Sequence, residues 1–168
     1  MNDNVLLFLT LLGLTLMLVP FFITVSLLFP KRVAKTQAIL DQMPGRALVV
    51  GLVNGVFFLT VGLVLFILAD QIEGLVKLVL SIPALAISAV LSTMLSFGLA
   101  GMVNLLGQRF APDQSSWRQT LWGTLLLGIG CCVPLIGWFL LFPYTAFAGI
   151  GAFITSYFQP YKPSPPKE

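Results

Sequence analysis

The chain has 168 residues, 58% of them hydrophobic and only 9% charged, with a net charge of +3 and no histidine. Soluble domains carry roughly a quarter charged residues, so this composition excludes a soluble enzyme and leaves no length for one beside the apolar runs. The basic residues cluster at the edges of those runs, which reads as membrane topology and anionic-lipid contact rather than a nucleic-acid footprint.

Residues 4–30, 47–69, 78–108 and 119–161 contain no charge, and about 20 apolar residues suffice to cross the ~30 Å hydrocarbon core of a bilayer. The implied fold class is an all-α integral membrane protein. It is a small polytopic helical bundle in one domain over residues 1–158, with four to five membrane segments and a Pro-broken C-terminal hairpin. The first segment, about 5–29, lacks the basic start and the cleavage site of a signal peptide, so it reads as a retained helix. Pro20 should kink it, because proline removes one N–H and its ring clashes with the preceding turn. Lys31, Arg32 and Lys35 then open a connector over 31–46 in which Val33, Ala34, Ala38, Ile39 and Met43 form a partly apolar stripe. Such a segment suits an anionic membrane surface or a docking partner, and equally a solvated loop.

A second segment fits 47–69. Residues 71–81, with Glu73 and Lys77, read as a short piece lying at the interface. Pro83 suits the first turn of a third segment over 83–106, with Gly107 as its C-cap. Ser115 or Ser116 is placed to cap the next helix. The last uncharged run divides at VPLIGW, where Pro134 and Gly137 bracket a turn between segments 119–132 and 135–158, and Pro143 should kink the second. The tail, 159–168, has four prolines and reads as extended and disordered.

Lys and Arg counts orient the chain. The 31–46 loop holds four, the 70–77 loop one, the 107–118 loop two and the tail two. With the N-terminus outside and five crossings, eight of the nine fall on the cytoplasmic side. A single crossing over 119–158 reduces that to six of nine. This favours a plasma (inner) membrane protein with the N-terminus outside and both the 31–46 loop and the tail in the cytoplasm.

Candidate packing residues follow from small side chains. Ala84, Ser88, Ser92, Ser96, Ala100 and Asn104 recur every four residues, and Gly51 and Gly55 form a GxxxG, spacings that allow helices to approach closely. The serine hydroxyls are available to bond across such a contact. The ridge reads as packing within the bundle, as an oligomer contact, or as a polar path. Asn54 and Asn104 are costly in lipid unless bonded, to each other or to backbone. Lys31, Arg32, Lys35 and Arg46 are the candidate membrane-surface or partner contacts.

Reactive chemistry has little to work with. No histidine is available as a general base or metal ligand, Cys131 and Cys132 are adjacent rather than in a CxxC, and no GxSxG, Walker loop or dinucleotide fingerprint occurs. Asp70, Glu73, Lys77, Arg109 and Arg118 fall at segment edges, whereas coupled transport or voltage sensing needs ionisable groups within the span. No catalytic residue, cofactor or metal site is assigned.

The run Phe29, Pro30, Lys31, Arg32, the stretch Pro44 to Leu48 with Gly51 and Leu52, the stretch Ser81 to Leu85, Gly107, Gln108 and Arg109, VPLIGW and AGIGA occur in that order. This arrangement resembles the polytopic membrane module of bacterial proteins related to, or fused with, bactofilin-type polymer-forming cytoskeletal proteins, without their β-helical polymerising domain. The resemblance implies a bacterial inner-membrane scaffold or partner and supplies no catalytic residues. The functional expectation is a non-catalytic membrane scaffold or accessory subunit whose partners are the bilayer and a membrane protein or further copies of itself. The alternative is a passive channel or small-solute/lipid transporter along a Ser/Asn-lined helix face.

Overall fold

The computed structural model describes residues 3–132 and 137–158, and among them every regular element is helical, with no strand. The elements are α1 (Asp3–Leu28), α2 (Pro30–Gln42), α3 (Pro44–Asp70), α4 (Leu75–Phe110), α5 (Ser116–Cys132), a π-helical turn (Gly137–Leu141) and α6 (Phe142–Phe158). By length and apolarity α3, α4 and residues 139–158 can each cross a membrane, and the bent pair α1–α2 makes a fourth candidate. Five crossings exceed this number, because α5 has only 17 residues. The tail 159–168 and most of the VPLIGW turn lie outside the described residues.

Four prolines shape the chain in two ways. Pro30 and Pro44 each stand in the first turn of a helix, and the residues before them, Phe29 (φ −127°, ψ 53°) and Met43 (φ −140°, ψ 58°), are pushed out of helical conformation. The result at Phe29–Pro30 is a 105° bend between the α1 segment Thr15–Leu28 and α2. Pro20 and Pro83 lie inside α1 and α4. The Pro83 position corrects the expected start at 83: residues 75–81 are not a separate interfacial piece but the first turns of a 36-residue helix. The helix passes Pro83 at the loss of a single ladder hydrogen bond. The turn before it depends on Gly74, at φ +79° and ψ −155°, a region closed to residues with a side chain.

Further departures follow from local geometry. Gly107 is not a C-cap: α4 runs on to Phe110, and the Ala111 N–H closes it on the Gly107 carbonyl. Pro143 sits in the first turn of α6, directly behind the π-helical turn Gly137–Leu141. The Ser115 carbonyl accepts the Gln119 N–H at 3.0 Å at the start of α5.

Helix α4 is the shared axis. On one side α3, α4 and α6 pack on one another; on the other α1, α4 and α5 do so. Glycine permits most of these crossings. A Cβ on Gly51 would lie 1.7 Å from the Phe147 carbonyl oxygen, one on Gly151 1.8 Å from that of Ala47, and one on Gly98 2.3 Å from the Gly149 carbonyl carbon. Across α4, a Cβ on Gly107 would lie 1.8 Å from the Gln119 oxygen and one on Gly123 1.9 Å from the Val103 oxygen. Gly98 and Gly107 are about two and a half turns apart at 3.6 residues per turn, so α6 and α5 sit on opposite sides of α4. In lipid, where burying apolar side chains brings no hydrophobic gain, such backbone approach and its dispersion contacts supply the attraction.

Candidate functional site

Most of the connector expected over 31–46 is α2, the 13-residue helix Pro30–Gln42 at one end of the bundle; the break falls at Met43, and residues 44–46 are already the first turn of α3. Its buried face is Val33, Thr36, Ile39 and Leu40, packed on α4 and α6. Val33 and Ile39 belong to the stripe expected from sequence. Ala34 is exposed instead, and Leu40 and Thr36 replace it. Thr36 joins the apolar face because its hydroxyl donates to the Arg32 carbonyl at 3.0 Å, and its methyl side meets Gly101.

Three polar contacts brace this helix. The Arg109 guanidinium donates to Asp41 Oδ1 at 2.7 Å, the Gln37 amide donates to Gln108 Oε1 at 2.6 Å, and Arg32 lies 4.5 Å from the centroid of the Tyr157 ring. An aromatic series continues inward from there. Tyr157 meets Phe153 edge-on at 5.3 Å, Phe153 stacks on Phe97 at 5.1 Å, and Phe97 meets Phe29 at 5.2 Å. The chain thus closes on itself from Phe29 through α4 and α6 back to Arg32.

The same end carries six basic residues, Lys31, Arg32, Lys35, Arg46, Arg109 and Arg118, against two acids, Asp41 and Asp113. The opposite α3–α4 turn carries Asp70, Glu73 and Lys77. Of the four sequence-predicted surface contacts, Lys31, Arg32 and Arg46 are exposed and Lys35 is half-buried. Arg32 is engaged by Tyr157, Arg46 reaches the Met43 sulfur at 3.8 Å, and the two lysines make no ion pair with a described residue.

The predicted packing residues divide. Gly51 and Gly55 lie in the α3–α6 contact, Gly55 against the Phe147 ring. The four-residue ridge on α4 is not a single face. Each step of four gains about 40° of rotation, so Ala84 and Asn104 differ by roughly half a revolution. Ala84 and Ala100 are buried, Ser88 and Ser96 partly so, and Ser92 is exposed. Nor do the hydroxyls bond across a contact: Ser88 donates to the Ala84 carbonyl at 2.9 Å and Ser96 to that of Ser92 at 2.8 Å.

The two asparagines do not meet. Asn54 donates to the Val50 carbonyl of its own helix at 2.8 Å. Asn104 joins three helices, donating to Ser26 Oγ of α1 at 3.2 Å and accepting the Thr120 hydroxyl of α5 at 2.7 Å. Sequence reasoning missed Ser26, Thr120, Asp41, Gln37 and Tyr157 as partners. The only available signal was complementarity of residue type between positions far apart in the chain, such as Ser26 and Asn104 or Arg32 and Tyr157. Among the described residues no buried side-chain nitrogen or oxygen lacks a partner, and no group of His, Cys, Asp and Glu suits a metal ion.

Comparison with protein-family models, with curated proteins and with solved structures finds no significant match to the chain. The site must therefore be read from its own geometry.

Proposed function

We propose that this chain is a non-catalytic integral-membrane scaffold or accessory subunit that engages a membrane-protein partner, or further copies of itself, through its basic end. The observation that carries this reading is the bracing of α2. A helix held at both flanks by Asp41–Arg109, Gln37–Gln108 and Arg32–Tyr157 presents Lys31 and Lys35 in a fixed arrangement, with Arg46 beside them in the first turn of α3. That is the form a recognition surface takes, because little ordering entropy is lost on binding. Complementary acidic groups on a partner or anionic headgroups would face it.

The same asymmetry of charge supports the N-terminus outside and the α2 end in the cytoplasm. In this reading α5 is a short crossing, about 25 Å long at 1.5 Å per residue, and makes the fifth segment. The resemblance of FPKR and the segments after it to the bactofilin-related membrane module supports a bacterial inner membrane. The channel reading draws little support, since Asn54, Ser88 and Ser96 bond within their own helices and Asn104 is tied into a knot.

The test is purification from native membranes in mild detergent, alongside a variant carrying Lys31→Gln, Lys35→Gln and Arg46→Gln. A stoichiometric partner or defined oligomer that is lost in the variant supports the reading. A monomer that elutes alone and conducts solute in liposomes overturns it.

A further inference from the structure

A cleft of about 410 Å³ opens between α1 and α5 on one side and α6 on the other. Leu18 and Phe22 of α1, Leu99 of α4, Leu127 and Cys131 of α5 and Phe142 of α6 line it. The adjoining hydroxyls are already committed: Thr124 donates to the Thr120 carbonyl at 2.7 Å and Thr145 to the Phe142 carbonyl at 3.0 Å. The wall is therefore almost wholly carbon, and among the described residues no ionisable carboxylate or cation borders it.

Backbone contacts on α4 set the width. Gly98–Gly149 fixes α6 on one side and Gly107–Gln119 with Gly123–Val103 fixes α5 on the other, so the walls cannot collapse inward without breaking a glycine crossing. The cleft is open on one side, and Leu18 and Phe142 on its border are 39% and 53% exposed. Beyond them Met17, Phe139 and Leu140 continue the apolar surface that faces the bilayer. From Thr124 to Cys131 the cleft follows α5 for about 10 Å at 1.5 Å per residue.

We propose that this cleft holds one acyl chain of a bilayer phospholipid, inserted between α1 and α6 with the headgroup left outside. A void of this size in hydrocarbon forfeits dispersion contacts along its whole lining, and water does not replace them without two or more polar partners. Taking ~30 Å³ for a water-sized group, the space admits on the order of a dozen methylenes, the scale of a lipid chain. The source is the bilayer itself, onto which the cleft opens. A free fatty acid brings a carboxylate for which the lining has no cation.

The experiment uses the full chain in nanodiscs containing a phosphatidylcholine with a photoactivatable diazirine at the end of one acyl chain. Labelled residues are mapped by proteolysis and mass spectrometry. Labelling is expected to concentrate on 127–131 and 142–145 over the exposed α3 positions Val53 and Phe57. Leu127→Trp, which fills the cleft, should reduce cleft labelling about tenfold, the change produced by about 1.4 kcal/mol of lost binding. Leu99→Ala, which enlarges it, should preserve or raise that labelling, and α3 labelling serves in both as the measure of intact folding.

Uniform labelling of all outward faces would identify annular lipid only and overturn the proposal. Cleft labelling unchanged by Leu127→Trp in a variant with normal α3 labelling would do the same. Displacement of the label by excess palmitate at concentrations that leave the bilayer intact would reassign the site to free fatty acid. Disulfide crosslinking between copies through Leu18→Cys and Phe142→Cys, with loss of the label, would place a second protomer there instead.

Discussion

Where α6 crosses α3 and α4, backbone meets backbone. Gly51, Gly98, Gly149 and Gly151 leave no room for a methyl group, and among the described residues no side-chain hydrogen bond joins these three helices. Their one ion pair among those residues, Lys77–Asp70 at 3.8 Å, lies exposed at the α3–α4 turn, away from the crossings. Where α1 and α5 meet α4, glycine contact at Gly107 and Gly123 gives way to a hydrogen-bonded knot at Asn104 and then to an open cleft. Both halves face the same lipid. The difference shows that shape alone can hold membrane helices if the backbones touch, whereas helices kept apart by larger side chains need polar ties and leave space.

The largest effect should come from the glycine half. Gly51→Ala places a Cβ against the Phe147 carbonyl, and should cost about 2–3 kcal/mol by overpacking. That outweighs the ~1 kcal/mol that alanine gains over glycine in a helix interior. Thermal unfolding in detergent measures it, and unchanged stability would break the comparison.

Asn104→Leu removes the knot and should cost about 1 kcal/mol, since interhelical hydrogen bonds in membranes average ~0.6 and reach ~1.7 kcal/mol. Combined with Ser26→Ala it should be less than additive, which a double-mutant cycle reads. Asp41→Asn breaks an ion pair whose two side chains are 53% and 65% exposed. Its stability effect should therefore stay below about 1 kcal/mol. Its signature is faster thiol labelling of a cysteine placed at Val33 on the buried face of α2. Smallest of all, Gly13→Ala meets nothing within 4 Å. It should be neutral or stabilising by up to ~1 kcal/mol, so that glycine in contact and glycine in open space give opposite signs.

The membrane helices were legible because long uncharged runs have few other uses, and Gly51 and Gly55 were legible because their spacing is itself the contact. The ridge on α4 misled for a geometric reason: a repeat of four drifts from the 3.6-residue period, so Ser88 and Asn104 face different neighbours. Gly107 misled because glycine serves both caps and close crossings, and only the position of Gln119 decides between them. Pro83 misled because first-turn and interior prolines look alike in one dimension. Partners such as Asp41 and Arg109, or the four helices that border the cleft, come together only through the fold. No local pattern announces them.

The central place of α4 also orders events during synthesis. Helices α1 and α3 come first in the chain but share no packed interface; α3 packs on α6 and α4, and α1 chiefly on α5 with a smaller contact on α4. Before α4 is made, α1 and α3 have no native neighbour beyond α2. Most of the packing of this bundle therefore waits for α4 and the helices after it, and a chain cut short before α4 would leave α1 and α3 tethered through α2 but without a contact between them.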